Sequence, residues 1–296
     1  MEFRLLRYFL AVVREGNISK AAEALFLTQP TLSRQLADLE YELGTPLFVR
    51  GKKQIILTEA GLLLKRRAEE ILELQEKTES EIRQRDDHLT GRLSVGAAEA
   101  DCAGILPPLI TEFRKKYPEV EFDLYSDTAS AVKEKIDRGL LDAGLVIEPG
   151  IIDKYHFLPL GIKETCGILM NTASPLAEKE TVTVRDLIGL PVLISKREEV
   201  KNLYRNRLGE DFDKLDIIAT HNLIGNAARF AEEKCGYIFT IHGCVRNLNP
   251  DTFCFRPFFP PVTQDSFLIW KKEQAVGPCL KKLIEEVSML LKHTKQ

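Results

Sequence analysis

Side chains able to hydrogen-bond to base edges cluster in one short stretch near the N-terminus. This stretch, QPTLSRQLAD at positions 29–38, has the apolar spacing of a helix. Its predicted buried face consists of Leu32, Leu36, Leu39 and Leu43. The polar residues on or beside the other face are Gln29, Thr31, Ser33, Arg34, Gln35 and Asp38. Arg34 and Gln35 are best able to read bases in a major groove, whereas Thr31 and Ser33 suit phosphates or thymine methyl groups. A helical bundle with an ordinary solvated face is the alternative.

Three helices are predicted to present this face. Apolar residues from Phe3 to Val13 recur at helical spacing and predict the first helix. Ser19 is the expected N-cap of a second, short helix, after which the chain turns. Thr28 is the expected N-cap of the third helix, with Pro30 in its first turn and Gly44 at its end. Two helices joined by a tight turn are typical of a helix-turn-helix.

A basic turn follows these helices. Positions 46–61 read PLFVRGKKQIILTEAG, in which two short apolar runs flank Arg50, Lys52 and Lys53. This pattern predicts a β-hairpin with cations at its tip. Such a turn in isolation is usually just solvated, but directly after a helix-turn-helix it is typical of a wing.

Charge is distributed unevenly along the chain, whose formal net charge is -3. Residues 1–58 contain eight Lys and Arg against six Asp and Glu, whereas the remainder contains 33 basic and 38 acidic residues. A mildly basic head on an acidic body favours nucleic-acid binding at the N-terminus. Apolar runs are too short for a membrane span or a secretory signal, so a cytoplasmic protein without a membrane partner is expected.

One long helix is expected after Thr58, since residues 59–88 contain no Pro and, apart from Gly61, no Gly. Its predicted heptad seam consists of Leu64, Ala68, Ile71, Gln75, Thr78 and Ile82. A second copy of the helix could cover this seam. The chain's own second domain is the alternative cover.

The remaining two-thirds alternates predicted strands and helices. LSVGAA, VEFDLY and AGLVIE form one set of strands, and CGILM, PVLI, LDIIAT and GYIFTI form a second. SFLIW and the helix at 276–292 are expected to return to the first set. This alternation predicts an α/β fold with parallel strands, whose ligands bind at the carboxyl ends of the strands.

The N-terminal pattern resembles the signature of LysR-type transcriptional regulators. The matching residues are Phe9, Ser19, Ala21, Ala22, Leu25, Gln29, Pro30, Ser33, Leu39, Glu40, Leu43, Gly44, Leu47, Phe48, Arg50, Leu57, Thr58, Glu59, Ala60 and Gly61. Lys53 stands where the family commonly has Arg, and Ile56 where it usually has a polar residue. The string LPPLITEFRKKYPEVEFDL, followed later by GLLDAGLV, is similar to the opening of the family's sensor domain.

The resemblance implies an all-α winged helix-turn-helix domain joined by a long helix to a bilobal, periplasmic-binding-protein-like α/β domain. The implied divisions are the DNA-binding domain at 1–58, a linker and dimerisation helix at 59–89, and an effector-binding regulatory domain at 90–296. Within the last, one lobe comprises 90–161 with 267–296 and the other 162–266. The implied partners are double-stranded promoter DNA, a small-molecule effector, further copies in a homodimer or homotetramer, and RNA polymerase.

These expectations define two sets of candidate binding residues. The DNA-binding set is Ser19, Gln29, Pro30, Thr31, Ser33, Arg34, Gln35, Asp38, Arg50, Lys52 and Lys53. The effector set, taken from predicted strand ends, is Ala98, Glu99, Ala100, Asp101, Ser126, Thr128, Glu148, Ser195, His221, Asn222 and Thr240. Because Glu99 and Asp101 are acidic, they favour a cationic or polar neutral effector.

Other functions have weaker support from the sequence. The usual enzyme signatures are absent, so no catalytic residue, metal site or cofactor is expected. Cys235 and Cys244 offer a redox-sensing alternative within the same family. A solute-binding protein built on the same bilobal fold is a third interpretation.

Overall fold

A computed structural model describes residues 1–50, 55–83, 89–148, 154–272 and 276–293. The chain divides into two compact units, Met1–Arg83 and Gln84–Gln296. No helix in the described ranges is both long enough and apolar enough to cross a membrane.

The first unit is helical with a small β-ribbon. Its elements are α1 (Phe3–Glu15), α2 (Ile18–Ala24), α3 (Gln29–Leu43), β1 (Phe48–Arg50), β2 (Ile55–Leu57) and α4 (Glu59–Arg83). The two strands pair antiparallel, with Phe48 opposite Leu57 and Arg50 opposite Ile55. The predicted winged helix-turn-helix is therefore confirmed, with the tip of the wing at positions 51–54 lying outside the described residues.

Two of the three predicted helix ends are confirmed. The Thr28 hydroxyl accepts a hydrogen bond from the Thr31 amide at 3.4 Å, and Gly44 ends α3 with a left-handed φ of 68°. The prediction that Ser19 caps α2 is wrong. Asn17 has the extended backbone of an N-cap, and its side-chain oxygen accepts the Ser19 amide at 2.8 Å, so Ser19 lies in the first turn.

The core of the first unit forms where the helices cross. Leu32, Leu36 and Leu39 are buried as predicted, against Phe9 and other residues of the same core. Leu43 is 40% exposed, contrary to prediction. It is the last residue of α3, and the buried stripe stops one turn earlier.

The long helix α4 packs partly on its own unit. Leu64 and Ala68 of the predicted seam are buried with Leu72 in the core that includes α1. The first half of the seam is therefore covered by the chain's own helix-turn-helix rather than left for either of the predicted partners. Ile82, at the other end, is 78% exposed.

The second unit is an α/β fold. Its strands are β3 (Gly91–Ala97), β4 (Val120–Ser126), β5 (Ala143–Glu148), β6 (Tyr155–Asn171), β7 (Pro191–Ser195), β8 (Asp216–His221), β9 (Tyr237–Ile241), β10 (Phe253–Pro257) and β11 (Thr263–Lys271). Its helices are α5 (Leu106–Lys116), α6 (Ala129–Asp137), α7 (Glu198–Leu208), α8 (Ile224–Glu232), the short α9 (His242–Val245) and α10 (Pro278–His293).

The strands form two parallel sets joined by two long antiparallel strands. The order is β4-β3-β5-β11-β6-β9-β7-β8, and β10 pairs with β6. Pairing is parallel among β3, β4 and β5, and among β7, β8 and β9, as predicted. The prediction that CGILM belongs to the second parallel set is wrong, because this segment is the second half of β6 and pairs antiparallel with β9 and β10. The sequence pattern missed β10 and the first half of β6, which begins at Tyr155 rather than at Cys166. That half of β6 pairs with β11, and the other half pairs with β9 and β10.

Separate cores define two lobes. The first lobe, built on β3, β4 and β5, packs around residues such as Phe113 and Val132. The second lobe, built on β7, β8, β9 and β10, packs around residues such as Phe212 and Ile238. Because β6 and β11 run through both, the carboxyl ends of the two parallel sets lie on either side of a cavity.

Candidate functional site

The outward face of α3 is polar and accessible. Gln29, Pro30, Thr31, Arg34 and Asp38 are exposed, and Ser33 and Gln35 are half-buried. The buried leucines on the opposite side force this arrangement, because residues three and four apart share one helix face. Ser19, also in the predicted set, is exposed on α2.

The side chains on this face differ in whether they already have hydrogen-bond partners within the protein. The Thr31 hydroxyl is 2.8 Å from that of Thr28, so it is partly engaged in capping its own helix. Arg34 meets no carboxylate in the described part of the chain. An unpaired guanidinium on an exposed helix can donate two parallel hydrogen bonds to a guanine.

A partly buried carboxylate connects α3 to the β-ribbon. A carboxylate oxygen of Glu40 accepts the amides of Leu47 at 2.6 Å and Phe48 at 3.2 Å. Glu40 therefore fixes where the wing leaves α3, a role the sequence pattern alone does not reveal. The Arg50 side chain and the predicted Lys52 and Lys53 lie outside the described residues, so their contacts with DNA stay predictions.

A candidate ligand site is a cavity between the two lobes of the second unit. The space between its walls, measured out to its open mouth, is about 710 Å³. The first lobe contributes Ala98, Glu99, Asp127, Thr128, Ala129 and Ile147. The second contributes Ser195, Arg197, Val200, Tyr204, His221, Asn222, Leu223, Ile224, Phe239, Thr240, Ile241, Cys244 and Gln264.

The structure brings most of the predicted effector residues together in this wall. Those that line it are Ala98, Glu99, Thr128, Ser195, His221, Asn222 and Thr240. Three others do not: Ala100 is buried in the core of the first lobe, Ser126 is exposed at the end of β4, and Asp101 pairs with other residues. The side chain of Glu148 lies outside the described set.

The sequence pattern missed several lining residues because they are not at strand ends. Arg197 immediately precedes α7, and Tyr204 lies two turns into it. Gln264, buried in the crossing strand β11, donates to the Cys166 sulfur at 3.2 Å. A strand-end rule cannot find residues of a helix or of a strand that passes through both lobes.

The wall contributed by the second lobe carries buried hydrogen-bonding nitrogens. Arg197 Nε is buried without a hydrogen-bond partner among the described residues, and the ring nitrogens of His221 are buried beside the backbone of Phe239 and Leu223. Burial lowers the pKa of His221, and the backbone of Phe239 and Leu223 only partly opposes this. This shift disfavours the charged form of the His221 imidazole. Since α7 and α8 also begin here without side-chain caps, their first amides add partial positive charge.

The wall contributed by the first lobe is acidic but largely satisfied. Asp127 accepts hydrogen bonds from the Tyr125 hydroxyl at 2.7 Å and the Thr128 amide at 2.6 Å. Burial works to raise the pKa of Asp127, but these hydrogen bonds outweigh it and hold the pKa below its usual range. Thr128 caps α6 through the amide of Ala131. Glu99 is exposed to solvent.

The two lobes touch at one edge of the cavity. The Cys244 thiol donates to the Glu99 carbonyl at 2.7 Å. The carboxylate of Asp101 accepts hydrogen bonds from the His242 Nδ1 at 3.0 Å and from the Arg246 guanidinium at 3.4 Å. Asp101 is therefore a lobe-to-lobe contact, which removes one of the two carboxylates that favoured a cationic effector.

The redox-sensing alternative gains no support from the thiols. Cys235 and Cys244 lie beyond opposite ends of β9, whose five residues span about 13 Å, whereas a disulfide requires Cα atoms within about 7 Å. Burial raises the pKa of Cys244 to about 12, so this thiol is protonated and unreactive at neutral pH. All six cysteines are free.

Two families match the chain in succession. Residues 3–62 match the bacterial regulatory helix-turn-helix proteins of the lysR family. Residues 86–291 match the LysR substrate binding domain. A solute-binding protein would not carry the first of these, so that alternative is contradicted.

Curated relatives extend over both units. The Hca operon transcriptional activator HcaR of Escherichia coli (strain K12) is 30% identical over 298 aligned residues, covering 96% of each chain. The HTH-type transcriptional regulator AlsR of Bacillus subtilis (strain 168) is 33% identical over 205 residues, covering 69% of this chain and 67% of AlsR.

Solved structures share the fold. Full-length CbnR complexed with its target DNA has a TM-score of 0.71 and 23% identity, covering 98% of this chain and 99% of CbnR. A second crystal structure, of CbnR described as a LysR family transcriptional regulator, has a TM-score of 0.72 and 22% identity, and the match again covers 98% of this chain and 99% of CbnR. With the helix-turn-helix and the substrate binding domain both matched, and a relative such as HcaR aligned over nearly its whole length, the chain belongs to the LysR family of bacterial regulatory proteins.

Proposed function

We propose that α3 reads operator bases through Arg34 and Gln35 while the wing contacts the DNA backbone, and that a small effector binds in the cavity between the lobes. The observation that carries the first part is the exposed, unpaired guanidinium of Arg34 on the polar face of the third helix. CbnR, which shares the fold, was solved on its target DNA. Ser19, Gln29, Pro30, Thr31, Ser33 and Asp38 complete the proposed surface on the helices, and Arg50, Lys52 and Lys53 complete it on the wing.

The proposed domain organisation follows the same division. Residues 1–58 bind DNA, residues 59–89 form the linker helix, and residues 90–296 bind the effector. We propose that the chain acts in the cytoplasm as a homodimer or homotetramer, since paired recognition helices gain affinity on dyad half-sites. RNA polymerase is a proposed partner at the promoter. The assignment is a regulator without catalytic activity or a cofactor.

An operator-binding experiment tests the role of Arg34. A sequence selected in vitro by the full chain is titrated with the wild type and with Arg34→Ala, in parallel with random DNA. We expect Arg34→Ala to weaken binding to the selected sequence by about 1–3 kcal/mol per half-site and to relax preference at one base pair. Lys53→Ala is expected to weaken both DNAs alike and to lower the salt dependence.

Arg4→Ala is the matched control, because Arg4 is an exposed cation of the same unit that already pairs with Glu2 at 3.2 Å. It should leave sequence preference unchanged. Equal losses on selected and random DNA for Arg34→Ala would refute its role in base recognition.

A further inference from the structure

Glu164 is an acidic residue buried where the two lobes of the second unit join. It lies in β6 opposite Gln264 of β11, and these two strands run through both lobes. Glu164 is 0% exposed, whereas its neighbours Lys163 and Asp265 are exposed, because successive residues of a strand face opposite sides of the sheet. Glu164 does not line the cavity. Its carboxyl group therefore has no part in the proposed contacts with DNA or with an effector.

The carboxyl group of Glu164 has backbone hydrogen bonds but no ion pair among the described residues. Its Oε1 accepts the Cys102 amide at 3.0 Å, and the backbone of Asp101 also favours the ionised form. Burial works in the opposite direction and is the larger effect, so the pKa of Glu164 is raised. A glutamate buried without a cationic partner favours its protonated form more than an exposed glutamate does.

Two short elements, one from each lobe, shield Glu164 from solvent. The first-lobe element is the 3₁₀ helix Asp101–Ile105, and the second-lobe element is α9. Both contact β6, and they contact each other. Between them, the His242 Nδ1 lies 3.0 Å from the Asp101 carboxylate, and Gly243 packs against the Asp101 backbone with no room for a Cβ atom. Separation of the 3₁₀ helix from α9 would therefore let water reach the carboxyl group.

The other ionisable groups around Glu164 do not neutralise a charge on it. His242 and Arg246 are on α9, but both face the carboxylate of Asp101. The charge of Asp101 raises the pKa of Glu164, and His242, which is charged only when protonated, opposes this. Glu99 is exposed to solvent. Burial raises the pKa of three nearby thiols, which are neutral at neutral pH: Cys102, Cys166 and Cys244. Proton uptake by Glu164 itself is therefore what removes its buried charge.

From this arrangement we propose that Glu164 is a proton switch for the contact between the lobes. The protonated residue keeps the 3₁₀ helix against α9, and loss of its proton to solvent favours separation of the two elements. Hydration of the carboxylate drives the separation, because a charge is far more stable in water than in a protein interior.

The direction of the response follows from linkage. The buried carboxyl group binds its proton more tightly than a hydrated one does, because burial raises the pKa of Glu164. The closed contact is therefore fully favoured at pH values below the usual pKa range of a glutamate. This advantage is lost progressively as the pH rises through the raised pKa. The switch adds to the proposed function an input that requires neither effector nor DNA.

Hydrogen exchange on the full chain measures the separation. Exchange followed by mass spectrometry gives an opening equilibrium for peptides covering 99–106 and 242–248, once each rate is divided by the intrinsic rate at the same pH. We expect the opening of both peptides in the wild type to increase about threefold or more between pH 5 and pH 8. Peptides of β3, in the core of the first lobe, should exchange more slowly than both, because they open only when the unit unfolds.

Variants assign the response to Glu164. Glu164→Gln keeps the size of the side chain but cannot ionise, so its opening should be nearly independent of pH. His242→Gln removes the other group of the contact whose charge depends on pH, and the response should persist. Glu112→Gln is the matched control, because Glu112 is an exposed acid of the same lobe that pairs with Lys115 at 2.6 Å. It should behave like the wild type. Trp270 fluorescence verifies that each variant is folded.

An opening equilibrium of the wild type that does not change with pH would overturn the proposal without any variant. The proposal is also wrong if Glu164→Gln retains the response or if His242→Gln abolishes it. Contact peptides that exchange no faster than β3 would show that Glu164 acts on folding alone, which would equally refute the switch. None of these outcomes bears on DNA recognition, which the Arg34→Ala experiment tests separately.

Discussion

Replacing Gly243 by alanine tests how closely the two lobes approach at the edge of the cavity. Gly243 lies in α9 of the second lobe. A Cβ atom there would be 2.1 Å from the amide nitrogen of Asp101 and 2.5 Å from the carbonyl carbon of Ala100, both in the first lobe. Non-bonded heavy atoms normally approach to about 3.5–4.0 Å. The two segments must therefore separate by more than about 1 Å, and backbone atoms cannot rotate out of the way.

The expected loss of stability follows from this geometry. Overpacking typically costs about 1–3 kcal/mol, and exchanging glycine for alanine in a helix returns at most about 1 kcal/mol. Since both clashing groups are backbone, we expect Gly243→Ala to lower the free energy of unfolding by about 2 kcal/mol. Gly225 in α8 is the matched control, because a Cβ atom added there would have no neighbouring atom within 4 Å. Gly225→Ala should leave stability unchanged or raise it by up to about 1 kcal/mol.

The chain contains a single tryptophan, which makes the assay selective for the second unit. Trp270 lies in β11, with its ring 5.7 Å from that of His156. Urea unfolding followed by its fluorescence gives the free energy of unfolding of the unit that contains the clash. Equal stabilities for Gly243→Ala and Gly225→Ala would refute the close contact between the lobes.

Two further predictions concern a buried acid and a strained turn. Glu164 is wholly buried, and burial raises its pKa. The folded state therefore holds the proton more tightly than the unfolded state does. As a result, the stability of the wild type falls as the pH rises above the usual pKa range of a glutamate. Glu164→Gln should flatten that dependence in unfolding measured from pH 4 to 8 and be the more stable form at the upper end; a parallel pH profile would contradict this. Phe26, between α2 and α3, has a left-handed φ of 56° and is 97% exposed. Because asparagine tolerates this conformation, Phe26→Asn should keep or raise the thermal stability, by up to about 1 kcal/mol; a marked loss would show that the ring makes a stabilising contact.

Local patterns in the sequence were sufficient for the DNA-binding face. The spacing of Leu32, Leu36 and Leu39 determines which side of α3 is buried, and Arg34 then has to be outside. The Ser19 cap was misassigned because Asn17 and Ser19 are both good N-caps, and only the backbone conformation separates them. The cover of the α4 seam was missed because a heptad pattern shows that a face is apolar but not what packs on it.

The cavity was predictable only in part, for a physical reason. Parallel strands gather their carboxyl ends at one edge, so Ser195, His221 and Thr240 could be placed from their positions in the pattern. Asp101 fits the same rule, yet the approach of α9 draws its carboxylate to His242. Contacts between residues about 140 positions apart depend on how the lobes meet, and a local pattern carries no such information.

The contacts that hold the lobes together share residues with the wall of the cavity. Glu99 lines the cavity and also accepts the thiol of Cys244, which is itself a lining residue. Next to this bond, Gly243 packs against the backbone of Ala100 and Asp101 with no room for a methyl group. A ligand can shift the lobes only if it binds one arrangement more tightly than another. A ligand spanning both walls would contact residues that also form the contact between the lobes. Any difference in its affinity for two arrangements of the lobes would therefore arise at the place where the lobes are most tightly packed. The Gly243→Ala variant should therefore change the affinity for a ligand that spans the cavity as well as lower stability, whereas Gly225→Ala should leave that affinity unchanged and stability unchanged or higher by up to about 1 kcal/mol.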